Sequence, residues 1–70
     1  MAKNEQVQVR KAVLKTLVAA KREMLAGEIA GQIGVDGADV WRALDYLVFI
    51  GLVSEREYAN GFLLYRVVRR

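Results

Sequence analysis

Apolar residues recur at helical spacing over the first third of the chain and twice more in shorter runs, before the period changes to two. Val9, Val13, Thr16, Leu17 and Ala20 form one stripe and predict a helix from about Glu5 to Arg22, with Gln8, Lys11, Lys15 and Arg22 on the opposite side. Lys21 and Arg22 near its C-terminal end suit the negative pole of the helix dipole. In LAGEIAGQIGV, residues 25–35, Ile29, Ala30 and Ile33 predict a short second helix stopped by Gly34. Gly27 and Gly31 each weaken that helix by about 1 kcal/mol relative to alanine, so it leans on tertiary packing. A third helix is predicted to open at Asp36, whose carboxylate is placed to cap the free amides, and to end at Gly51. Val40, Leu44 and Leu47 face inward there, with Ala43, Val48 and Ile50 at the flanks. Trp41, Arg42, Asp45, Tyr46 and Phe49 share the outward arc.

The rest of the chain alternates. LVSEREY and FLLYRVV flank Asn60-Gly61, the dipeptide best suited to a tight hairpin turn. One register points Val53, Leu63, Tyr65 and Val67 toward the helices. The order is therefore helix, short helix, helix, hairpin, an α+β chain. The second and third helices are joined by only Val35 to Gly37, as in a helix-turn-helix.

Length and composition narrow what such a chain can do. With 70 residues it is expected to be a single domain over 1–70, with its core at about 7–68. A chain this short buries only about 60% of its unfolded surface. There is no cysteine and no histidine, which removes disulfides, the usual metal ligands and the usual general base. Glu23, Glu28 and Glu55 form no recognisable catalytic pair, so the chain is expected to be neither an enzyme nor a holder of a cofactor or metal. No apolar run approaches the length of a membrane span, and MAKNEQVQ lacks the apolar core of a signal peptide, so a cytoplasmic location is expected. An apolar share of 54% is rich for so small a domain and favours self-association.

Charge is segregated along the chain. Residues 1–22 hold Lys3, Arg10, Lys11, Lys15, Lys21 and Arg22 against Glu5 alone, whereas residues 23–45 hold five acids against Arg42. The last third is basic again through Arg56, Arg66, Arg69 and Arg70. Any contact with nucleic acid should favour the ends.

EIAGQIGV at 28–35, VWRALDYL at 40–47, GLV at 51–53 and LLYRV at 63–67 together resemble a winged helix-turn-helix domain. In that likeness Met24-Leu25 fits the short first strand such domains place before the second helix. The resemblance implies duplex DNA binding, with the third helix in the major groove and the hairpin wing on the backbone or minor groove. By position, Ala38, Asp39, Trp41, Arg42 and Asp45 would meet base edges, while Arg56, Asn60 and Arg66 would lie on or beside the wing. Lys11, Lys15, Arg22, Arg69 and Arg70 would supply phosphate contacts. The implied function is a small transcriptional regulator acting as a homodimer. Its dimer surface would use Val7, Leu14 and Val18 of the first helix, or the Val48–Phe49 end of the third.

The chain departs from the family where it matters most. The would-be reading helix is net acidic, whereas affinity for DNA comes mainly from neutralised phosphates. Positions 48–50, commonly charged or small in the family, are Val48, Phe49 and Ile50. Several residues therefore have two readings. Trp41 either lies half-buried beside the second helix or stacks on a base or anchors a protein. Phe49 either packs under the wing against Phe62 or Leu64 or stands in an exposed apolar patch. Arg42 either pairs within the helix with Asp39 or Tyr46 or reaches a guanine. The alternative function is a protein-interaction adaptor on a winged scaffold, using Trp41, Tyr46, Val48 and Phe49.

Overall fold

The computed structural model describes the backbone of residues 2–68 and the side chains of residues 6–68. Three helices and a three-stranded antiparallel sheet build an α+β fold. In chain order these are α1 (Ala2–Ala20), β1 (Met24–Leu25), α2 (Ala26–Ile33), α3 (Gly37–Phe49), β2 (Val53–Glu57) and β3 (Leu63–Val67). The strand order is β1-β3-β2, with Met24 opposite Tyr65 and Val53 opposite Val67. The tail cations Arg69 and Arg70 lie outside the described residues. Among the described residues, no helix is long and apolar enough to cross a membrane.

The three predicted helices and the hairpin all form, and so does the short strand at Met24-Leu25. The first helix starts earlier than its apolar stripe and stops sooner than Arg22. Lys21 adopts a left-handed backbone, φ 57°, and its N–H donates to the Leu17 carbonyl at 3.2 Å. That reversal lets the chain enter β1 three residues later, where it pairs with β3.

The third helix ends by a different route to the same geometry. Gly51 sits at φ 84°, the Leu52 N–H reaches the Leu47 carbonyl and the Gly51 N–H reaches Val48. These two bonds make a Schellman cap, and glycine is the residue that takes the left-handed position without strain.

One buried cluster unites every element. Val13 and Leu17 come from α1, Met24 from β1, and Ile29 from α2. Val40, Ala43, Leu44 and Leu47 come from α3, with Val53 and Tyr65 from the hairpin. Leu63 and Val67 pack against this cluster, so the predicted inward register of the hairpin holds. Alternation then dictates that Ser54, Arg56, Leu64 and Arg66 occupy the sheet's outer face.

The hairpin loop is one residue longer than a simple two-residue turn. Asn60 (φ 52°) and Gly61 (φ 83°) carry the two positive φ angles of a type I′ turn, closed by Phe62 N–H to the Ala59 carbonyl at 2.9 Å. The Tyr58 N–H bonds to the Phe62 carbonyl at 2.7 Å, so Tyr58 and Ala59 together oppose Phe62 as a bulge.

Candidate nucleic-acid interface

The third helix is held by its inner residues and leaves its outer ones to solvent. Its start differs in detail from expectation. The Asp36 carboxylate makes no capping bond; the Asp36 carbonyl accepts the N–H groups of Asp39 (3.1 Å) and Val40 (3.2 Å) instead. The crossing from α2 is so short that it fixes the backbone at Asp36 while its carboxylate stays in water. Glu28 does the equivalent work for α2 with its side chain, accepting the Leu25 N–H at 2.9 Å. That bond, and then Arg22 at 3.5 Å, hold the Glu28 carboxyl below the usual glutamate range.

Trp41 is 56% exposed, and Phe49, at 87%, is more open still. Packing of Phe49 beneath the wing is therefore ruled out, although Leu47 and Val48 of the same turn pack into or against the core. Trp41, a little under half covered, lies beside the start of α2, as one of its two readings expected. It forms one wall of a shallow groove whose other walls are Leu25, Ala26 and Gly27 at the start of α2 and Gly61, Phe62 and Leu63 of the wing, with Tyr65 also lining it. Burial, with Glu55 and Asp45 nearby, raises the pKa of the Tyr65 phenol.

Arg42 is exposed and belongs to no ion pair among the described residues. The helical pairing with Asp39 or Tyr46 does not form. Tyr46 is engaged from another direction, by Arg10 of α1, whose guanidinium carbon lies 3.7 Å from the ring centroid. Arg42, Asp45, Tyr46, Val48 and Phe49 line a second shallow depression along α3.

The wing contributes aromatics and few free cations. Tyr58 and Phe62 are both exposed at its tip beside Asn60. Arg56 turns away from α3. Its guanidinium grips the Glu23 carboxylate through Nε and Nη2, the latter at 2.8 Å. That grip lowers the Glu23 pKa, chiefly through the hydrogen bond, and raises that of Arg56. Arg66 stands on the same outer face, opposite Ser54.

Of the other predicted contacts, Ala38, Lys11 and Lys15 are exposed. Lys15 lies beside Arg22 and Gln32 in a depression between α1 and α2, away from α3's outer face. Among the expected interface residues, Val7 and Val18 are exposed, whereas Leu14 and Val48 pack partly against the core. Arg10 and Glu23 escaped the sequence reading because their partners lie far along the chain. Phe62 and Tyr58 flank the turn dipeptide, a position where bulky aromatics with nothing to bury were a readable signal.

No protein-family model and no curated protein matches the chain. Among solved structures, a chain of HOP2 superposes with a TM-score of 0.79, at 25% sequence identity, over 86% of this chain and 98% of that one. It comes from work on the DNA-recognition and protein-interaction domains of HOP2 and on its homologous DNA pairing. The chain is thus similar in fold to a HOP2 domain, and its three helices and small antiparallel sheet fit a winged helix.

Proposed function

We propose that this domain binds duplex DNA, a binding role without catalysis, with the outer face of α3 presented to the major groove and the wing tip beside it. The carrying observation is Arg42, which is exposed and free of its acidic neighbours. A guanidinium in that state offers a two-pronged donor to guanine O6 and N7. Trp41 and Phe62 flank the groove between helix and wing, where an aromatic face can pack on sugar or base. The likeness to a HOP2 chain from work on DNA recognition supports the same reading. The finer form is a small regulator of transcription acting as a homodimer, for which Val7 and Val18 on the exposed flank of α1 would supply apolar contact area.

The test is a fluorescence-anisotropy titration of labelled duplexes of several sequences at stepped salt. Affinity should fall as salt rises. Arg42→Ala should cost about 1–3 kcal/mol on the preferred duplex and flatten the preference among sequences. A flat titration with every duplex at low salt ends this reading.

A second reading rests on Phe49. A phenylalanine so exposed, next to Tyr46 and Val48, suits the anchor of a protein interface. On that reading Phe49→Ala and Trp41→Ala abolish capture of a partner from nuclease-treated lysate, and DNA titrations stay flat.

A further inference from the structure

Folding gathers a group of the domain's cations away from the aromatics of α3 and the wing tip. Lys15 and Arg22 line the depression between α1 and α2. Arg22 also lines a larger cavity with Lys21, Glu23 and Arg66, between the end of α1 and the sheet. Glu23 and Arg66 in turn line the hollow that holds Arg56 on the outer face of the sheet. The three hollows adjoin through shared residues, so Lys15, Arg22, Lys21, Arg66 and Arg56 form one continuous basic band. Glu23, which grips Arg56, and Glu55 are the acids within it, and Glu28 lies at the edge paired to Arg22, three acids against five cations. By contrast, the two depressions beside α3 contain Arg42 as their one cation, against Asp45 and Glu28.

We infer that this band is a second DNA surface, distinct from α3, which takes the phosphate backbone of a duplex across the end of α1 and the outer face of the sheet. The inference rests on the DNA-binding reading but not on α3 as its reader. Cations so placed neutralise successive phosphates, the dominant source of affinity for DNA. A net-acidic α3 cannot supply that term, and the band can. The band spans an element from each basic end of the chain, so two charge clusters far apart in sequence act as one. Glu23 competes with phosphate for Arg56 and damps the site. The Arg56 side of the pair is 59% exposed and the Glu23 side 27%, so the guanidinium stays within reach of a polyanion.

The experiment compares four proteins on one labelled random duplex over a salt series: wild type, Glu23→Gln, the double variant Lys21→Glu with Arg66→Glu, and Arg42→Glu. The double variant should lose affinity by about tenfold or more, and its log–log salt slope should flatten by about two. Glu23→Gln should bind several-fold more tightly with a steeper slope, a gain that no folding defect can imitate. Arg42→Glu, at the proposed reader, should lower affinity and alter sequence preference, whereas the double variant should weaken binding to all duplexes alike. If the double variant and Glu23→Gln both match wild type while Arg42→Glu loses binding, the band is overturned and the α3 reading stands. If wild type binds no duplex, both fall.

Discussion

The guanidinium carbon of Arg10 lies 3.7 Å from the centroid of the Tyr46 ring, tying α1 to the outer side of α3 across 36 residues of chain. Arg10 Nε is buried there without a hydrogen-bond partner. Two effects oppose each other: the ring's attraction for the cation, about 0.5–2 kcal/mol, and the cost of an unpaired buried N–H, about 1–3 kcal/mol. Near cancellation follows. Arg10→Met, which keeps the apolar stem and discards both effects, should change stability by less than about 1 kcal/mol. Tyr46→Leu, which removes the ring but leaves the N–H buried, should cost about 1 kcal/mol or more. Chemical denaturation of both variants and of the double variant gives the coupling energy, and a value near zero would show that the contact is geometric only.

Leu44 sits at the centre of the single core, fully buried among side chains from α1, α2 and the hairpin. Leu44→Ala should cost about 2–5 kcal/mol. A domain of this length holds only about 0.05–0.15 kcal/mol of stability per residue, so that loss takes a large share of it. Circular dichroism should show a melting temperature lowered by about ten degrees or more. A cooperative melt within a few degrees of wild type would mean that the core is not organised around α3.

Lys21 and Gly51 occupy the same left-handed backbone region after α1 and α3, and only one of them is glycine. Substitutions should therefore have opposite signs. A side chain in that region costs about 1–2 kcal/mol, so Gly51→Ala should destabilise by about that much. Lys21→Gly should stabilise by a somewhat smaller amount, because glycine is also freer in the unfolded chain. No atom lies within 4 Å of a Cβ built on Gly51, so the first effect would be backbone strain alone and not a clash. Thermal melts of the two variants decide the matter; equal signs would contradict the assignment.

Local pattern carried most of the fold. The stripe Val40, Leu44, Leu47 is repeated faithfully in the buried set, and Asn60-Gly61 forms the turn that its chemistry demands. What stayed illegible is long-range. The Glu23–Arg56 grip spans 33 residues and depends on β1 and β2 flanking β3, which no periodicity encodes. The same topology sets Arg56, expected on or beside the wing, on the outer face of the wing strand β2 in the grip of Glu23. Helix ends were the other weak point. Lys21 gives no sequence sign of a left-handed stop, and Asp36 looks like a side-chain cap yet serves through its carbonyl. The outward arc of α3 was correctly placed, but whether Arg42 would be captured by Asp39 was a competition too close for spacing to settle.

Titration should destabilise the domain at both ends of the pH scale, for separate reasons. Glu23 and Glu28 have pKa values depressed below the ordinary 4.5, Glu23 mainly by the Arg56 hydrogen bond and Glu28 mainly by the Leu25 amide. A depressed folded-state value means that the unfolded chain binds protons first. The stabilisation is then complete above about pH 4.5 and is lost as pH falls through the folded-state values. Tyr65 behaves in the opposite sense. Burial raises its pKa above the ordinary 10.0, so its contribution is complete below that value and is lost as pH rises through the folded-state value. Melting temperature against pH should therefore be flat through neutrality and fall on both sides. Glu23→Gln should soften only the acid limb and Tyr65→Phe only the alkaline one. If Tyr65→Phe leaves the alkaline limb unchanged, the phenol is hydrated in the groove beside Trp41, and the floor of that groove is more open than its 3% exposure indicates.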